Sequence, residues 1–198
     1  MASGLSKLQA VNKMLRSIGE FPVQALDTGG STNAAVAESV LDEVKLAVLG
    51  DGWNLNTAHN ITLSRNSGNQ IPIPTTALHI DSYGSFANSN YVRRGDYLYD
   101  LDNNTDVFTE SVTVSIIYDM EWDQLPAKLK HYITCRAALQ FCIEGPADDR
   151  MVQFLTAERD DALLDARRED ARQRDANILN NRHSREVMGR QTAWPSIR

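Results

Sequence analysis

The hydrophobic period of this chain changes twice, and those changes constrain its fold more than any single residue does. Up to Gly50 apolar residues recur every three to four positions. From Asp51-Gly52 to about Asp123 they alternate, and from Leu125-Pro126 helical spacing returns. A period near 3.6 gathers apolar side chains on one stripe of a helix, whereas a period of two gathers them on one face of a strand. The sequence therefore predicts an α+β protein, with a helical bundle formed by the N- and C-terminal helices and a small antiparallel β domain inserted between them. The expected boundaries are 1–52 with 124–180 for the discontinuous bundle, 53–123 for the β domain, and 181–198 for a flexible basic C-terminal arm.

Within the first helical part, Leu5, Leu8, Val11, Met14 or Leu15, and Ile18 form one stripe. Gly19 suits the left-handed position after a helix, and Pro22 keeps the helix from resuming. A second helix is expected from Ser31 to Leu49, striped by Val36, Val40, Leu41, Val44 and Val48 and closed by Gly50. The helix expected from Leu125-Pro126 to Glu144 is apolar most of the way round, which suits a central or subunit-interface position. Leu129, Tyr132, Ile133 and Phe141 are its candidate interface residues. The last helix is expected from Asp148 to about Leu179, roughly 45 Å long if unbroken. Its first half carries Met151, Phe154, Leu155, Ala162 and Leu164. Its second half is nearly all charge, with same-face pairs Asp165–Arg168, Glu169–Arg172 and Asp170–Arg174.

Between the helices, Trp53–Asn56, Ile61–Leu63, Ala77–Ile80, Val107–Phe108 and Val112–Tyr118 read as short strands. Ile71-Pro72-Ile73-Pro74 is extended, and its prolines confine it to an edge or linker. Tyr91–Arg93 and Tyr97–Tyr99 predict a hairpin turning at Gly95-Asp96. From Asp81 to Asp123 there are nine acidic residues against Arg93 and Arg94, so this part carries most of the negative charge.

The net charge of −6 argues against a general nucleic-acid coat. No apolar run is long enough for a transmembrane anchor, and the N-terminus lacks a signal-peptide core, which predicts synthesis in a cytoplasm. Cys135 and Cys142 lie two helical turns apart, roughly 10 Å along the axis, too far to bridge. Without a CxxC pair or a His cluster, no metal or cofactor is expected, and both cysteines read as small buried side chains.

Asp100-x-Asp102-x-Asn104-x-Asp106 begins like a calcium loop, but Thr105 and Ser111 stand where that loop needs Gly and Glu. An Asx-rich hairpin turn is the simpler expectation. Asp119, Glu121 and Asp123 could supply the paired carboxylates of a polysaccharide hydrolase, although a solvated strand end also explains them. His59, His79, His131 and His183 are scattered and come with no catalytic motif, so no catalytic residues are expected. Arg94-Gly95-Asp96 reads as a tight turn. In the tail, Arg182, Arg185, Arg190, Trp194 and Arg198 suit a protein groove better than nucleic acid, because Arg and Trp are enriched at interface hot spots. A nucleic-acid-binding module is the weaker alternative.

Four segments carry a family resemblance: AVNKMLRSIGEFPVQAL, LGDGWNLNT, YVRRGDYLYDL and SVTVSIIYDMEWDQLPAKLKHYIT. In that order and spacing, over roughly residues 8 to 175, the chain resembles the tail tubular protein A family of podoviruses related to phage T7. The resemblance implies a structural virion protein, a head-to-tail adaptor located in the viral tail. It implies a homo-oligomeric ring, as a dodecamer, with one face on the portal protein and the other on a nozzle protein of tail tubular protein B type. Tail fibres attach near that junction, and DNA passes through the lumen without specific binding. Acidic residues on the β domain would suit a lumen that repels DNA. No catalytic residues carry over; a tail-associated polysaccharide hydrolase activity is the alternative. The arginine-rich arm is then the candidate portal-binding segment, ordering on docking.

Overall fold

The computed structural model describes residues 4–26, 32–87, 89–145 and 149–173. These residues form four α-helices, α1 (Lys7–Ser17), α2 (Thr32–Gly50), α3 (Ala127–Glu144) and α4 (Asp149–Gln173). They also form five strands, β1 (Thr57–Leu63), β2 (Ala77–Ser82), β3 (Tyr91–Arg94), β4 (Tyr97–Asp100) and β5 (Val112–Tyr118). The expected α+β class holds, with helices at both ends flanking a β region.

Each end of α1 is set by a local signal. Ser6 caps the N-terminus by accepting from the Gln9 backbone N–H at 3.2 Å, and the Gln9 side chain returns a bond to the Ser6 N–H at 3.0 Å. At the other end Gly19 adopts φ 80, so that Gly19 N–H reaches Arg16 O and Glu20 N–H reaches Leu15 O. That double bond pattern needs a left-handed residue, which glycine supplies without a Cβ penalty. The buried face is Ala10, Val11, Met14 and Leu15.

Helix α2 buries Ala34, Ala37, Val40, Leu41, Val44, Val48 and Leu49. Val36, expected on that stripe, is 44% exposed, because a step of four residues rotates around the axis and leaves the first member outside. Gly50 is still helical; the left-handed closing residue is Gly52, with φ 78. Trp53–Asn56, expected as a strand, is instead a turn that seals the end of α2. Trp53 Nε1 donates to Val48 O at 2.8 Å and buried Asn56 donates to Leu49 O at 3.0 Å. The alternation arises in a turn whose Trp53 indole and Asn56 amide point back at helix carbonyls, not in a pleat.

The sheet order is β1-β5-β2, all antiparallel, with β3-β4 as a separate hairpin. Val107–Phe108 pairs with no strand, although Phe108 is buried. β5 alternates cleanly, placing Val112, Val114 and Ile116 in one core with Ile71, Ile73, Ala77, Ile80, Leu98 and Phe108. The hairpin turns at Gly95 (φ 65) and Asp96, the type II′ pattern whose twist matches paired strands. A register shift between Ala77 and His79 turns Leu78 toward the helices, where it packs on the larger core.

That larger core is helical. It joins Val11, Met14 and Leu15 of α1 to Leu41, Val44 and Val48 of α2, to Leu129, Ile133 and Phe141 of α3, and to Leu155, Ala162 and Ala166 of α4. α3 sits at its centre and contacts each of the other three helices. Phe154 and Leu164, expected among the apolar residues of α4, are 64% and 52% exposed, and its buried contacts are small: two of the three are alanines. Alanines at the contact let α4 approach closely, with Leu155 buried beside them and Phe154 and Leu164 left outside.

Candidate functional site

The polar residues singled out from the sequence are brought to different places and given structural tasks. Asp119 lies at the end of β5, where Lys45 of α2 reaches it at 3.0 Å and also donates to Met120 O at 3.1 Å. That pair ties the sheet to the bundle. Glu121 and Asp123 are exposed at the following 3-10 turn (Trp122–Gln124), where the Glu121 N–H donates to Gln124 Oε1. Trp122 is buried and donates through Nε1 to Leu5 O at 2.9 Å, clamping the start of the chain.

The Asp100–Asp106 stretch is a hairpin extension built from side-chain to backbone bonds. Asp100, 8% exposed, accepts from the N–H groups of Asp102 and Asn103 and from the Asn103 side chain. Asp102 accepts from the backbone and side chain of Asn90, Asp106 accepts from Gln70, and Asn104 takes φ 52. The acids thus point to separate partners rather than to one cation. The Asn90 bonds, side chain first and backbone second, hold the Asp102 carboxyl below its ordinary value. At the hairpin turn, Arg94 lies over the Tyr99 ring at 3.6 Å, a cation–π contact that accounts for it locally.

Leu129, Tyr132, Ile133 and Phe141, the candidate interface residues, are 3%, 6%, 0% and 6% exposed within the subunit's own core. Their surface is consumed inside the chain, which leaves little of it for contact with another copy. The candidate arm residues Arg182, Arg185, Arg190, Trp194 and Arg198 lie outside the described residues, as do Arg174 and Leu179. Of the charge pairs expected on the last helix, Asp165–Arg168 forms at 3.2 Å, while Asp170 turns to Asn54, accepting from its backbone N–H at 2.8 Å and its side chain at 2.6 Å.

One constellation was not visible in the sequence. On α3, His131 and Cys135 stand one turn apart, with the two ring nitrogens 3.8 and 3.7 Å from Sγ. Glu158 of α4 faces them, and the Nζ of Lys13 from α1 lies between, 2.6 Å from Glu158 Oε1 and 3.2 Å from Cys135 Sγ. Burial alone would lower the Lys13 pKa, but the hydrogen bonds and charges of Glu158 and Cys135 prevail and raise it. Burial pushes the Cys135 thiol up, partly opposed by Lys13. Burial, followed by the Lys13 charge, pushes His131 down. The His-x-x-x-Cys spacing was the one local signal; Glu158 and Lys13 are distant in sequence and join it only through helix packing. The same logic governs Lys7, whose bonds to Glu38 (2.8 Å) and Asp42 (2.9 Å) overcome burial and raise its pKa. Cys135 and Cys142 are both buried and are not joined in a disulfide.

Fold and polar clusters together define a structural class: an α+β chain whose characterised polar side chains fasten one element to the next. Among the described residues no helix is long and apolar enough to cross a membrane. The chain belongs to the tail tubular protein family, whose sequence model matches residues 8–176. It is similar to tail tubular protein A of Klebsiella phage KP34, with 28% identity over 122 residues, 62% of this chain and 63% of that protein. The aligned part therefore spans less than two thirds of the relative's length. Family membership makes this a structural phage tail protein.

Proposed function

We propose that the chain is the head-to-tail adaptor of a virion tail, a ring-forming structural protein that joins the portal to the tail nozzle around the DNA passage. The observation that carries this reading is the family match over residues 8–176, which includes both helical parts and the whole β region. We read residues 1–52 with 124–180 as the bundle that forms the body of the ring, and 53–123 as the β part set off from it. Copies meet through surface left outside the bundle core, including Ile143, Phe154 and Leu164, which are 57%, 64% and 52% exposed. Large apolar side chains left exposed on a bundle suit burial against another copy. The arm 181–198 supplies Arg182, Arg185, Arg190, Trp194 and Arg198 to the portal and orders as it docks. DNA passes through the lumen without a specific site, and tail fibres attach near the nozzle junction.

Electron microscopy of the purified chain, alone and mixed with a portal ring, tests the proposal. The expected result is a ring, free or seated coaxially on the portal. A chain that stays monomeric and unattached with portal present would sink the adaptor reading. Removing residues 182–198 is expected to abolish portal attachment while the truncated chain keeps a cooperative thermal melt, the sign that it is folded. Attachment that survives the truncation would move the portal contact elsewhere.

A further inference from the structure

We propose that His131, Cys135 and Glu158 form a binding site for a soft divalent cation of the zinc class, which enters by displacing the ammonium of Lys13. The three donor groups lie within 4.8 Å of one another and come from two helices, α3 and α4. Zinc bond lengths to sulfur and imidazole nitrogen set a tetrahedral sulfur-to-nitrogen edge of about 3.6 Å. The observed separation is 3.7 Å, before any adjustment. A thiolate, an imidazole and a carboxylate are the donor types that zinc takes, and together they select against calcium and magnesium, which want oxygen.

The site already holds a positive charge. Lys13 Nζ is in contact with both Glu158 and Cys135, occupying the space between the donors as a cation would. Its four-carbon stem reaches that position from α1, and Lys13 keeps 23% of its side chain exposed, so it can swing out to solvent. His131 is exposed and Glu158 is 28% exposed, which gives an ion a path, while Cys135 is fully buried beneath them. Binding involves no redox change. The Cys135 thiol proton leaves to solvent as the sulfur–metal bond forms, a turn of the exposed imidazole aims one nitrogen at the ion, and water completes the fourth position. The metal replaces the ammonium's contacts with coordinate bonds and so joins α3 directly to α4.

The probe is Co2+, added to the full chain and followed by absorption. The expected result is a thiolate-to-cobalt charge-transfer band with the intense visible bands of tetrahedral Co2+, both removed by one equivalent of Zn2+. Cys135→Ser, which keeps the size of the side chain, loses the charge-transfer band. Lys13→Met keeps the stem, removes the competing charge, and binds about tenfold more tightly, the order expected when one like charge leaves a partly exposed site. Circular dichroism of each variant shows whether the fold is intact. Absence of the band in both the parent chain and a folded Lys13→Met, or its persistence in Cys135→Ser through Cys142, overturns the proposal. Weaker binding by a folded Lys13→Met would overturn the displacement step, because it would make Lys13 a ligand.

Discussion

Asn56 shows how much one side chain can hold. It is 3% exposed and makes three bonds, donating to Leu49 O and Tyr118 O (2.8 Å) and accepting from the Trp53 N–H (2.8 Å). It therefore links the end of α2, the turn after it and the end of β5. Asn56→Leu keeps the bulk but takes away the acceptor of the buried Trp53 N–H and the donor to Tyr118 O, while Leu49 O keeps its bond from Gly52 N–H; a buried polar group left unmet costs about 1–3 kcal/mol. Chemical denaturation should show a loss of at least ~2 kcal/mol. Asp102 offers a measurement of the opposite kind, since it is fully exposed. Its folded pKa lies below the ordinary 3.8, so the carboxylate adds stability above that value and loses it as pH falls through the folded midpoint. An NMR titration of its side-chain carboxyl should give a midpoint below 3.8, and Asn90→Ala should move it up toward 3.8. Neither role was legible in the sequence. Asn56 reads as the polar half of a strand alternation and Asp102 as one acid of an Asx-rich turn, with nothing to name Asn90 as its partner, because a side chain's partner is fixed by the path of the chain and not by its neighbours.

At the scale of the element, ends were legible where a local rule governs them. Gly19 with Pro22 marks the end of α1 in the sequence because capping bonds span only three to five residues, whereas the Ser6–Gln9 box at its start emerges only in the structure. The sequence places the closing residue of α2 two positions early, at Gly50 instead of Gly52, although both glycines offer the required freedom. Which glycine turns left-handed depends on where Trp53 and Asn56 find their carbonyls. Gly52 has φ 78, and a Cβ there would stand 2.9 Å from Ile117 Cδ1. Gly52→Ala is expected to destabilise by about 1–3 kcal/mol through the left-handed backbone, with the contact adding to it unless the Ile117 side chain rotates away. Gly50→Ala, in helical conformation with open space around it, should be neutral or stabilising by up to about 1 kcal/mol. Thermal melts of the two single variants compare them directly, and equal shifts would contradict the assignment of Gly52 as the closing residue. The hairpin at Gly95-Asp96 and the alternation of β5 were also legible, since both obey rules of short range.

At the scale of the whole molecule, burial of α3 has two readings that the sequence does not separate. A helix apolar most of the way round can face a neighbouring copy or its own bundle, and only the packing of α1, α2 and α4 around it decides. α4 supplies the missing half of that decision: its charged surface hides the fact that small residues, Ala162 and Ala166, let it close over α3. The two kinds of surface should therefore respond differently to substitution. Leu129→Ala removes a core side chain that is 3% exposed and should cost the subunit about 2–5 kcal/mol, lowering the melting temperature whether or not the chain is assembled. Phe154→Asp changes a side chain that is 64% exposed, so the isolated subunit should keep its stability within about 0.5 kcal/mol. If copies meet through this side of α4, the introduced carboxylate would be buried unpaired in the assembly and should weaken it by tenfold or more, a loss of about 1.4 kcal/mol or more per contact. Analytical ultracentrifugation of the two variants beside their melting curves separates the effects. Assembly unaffected by Phe154→Asp would exclude that side of α4 from the proposed contact between copies, whereas lost assembly with an unchanged melt would support it.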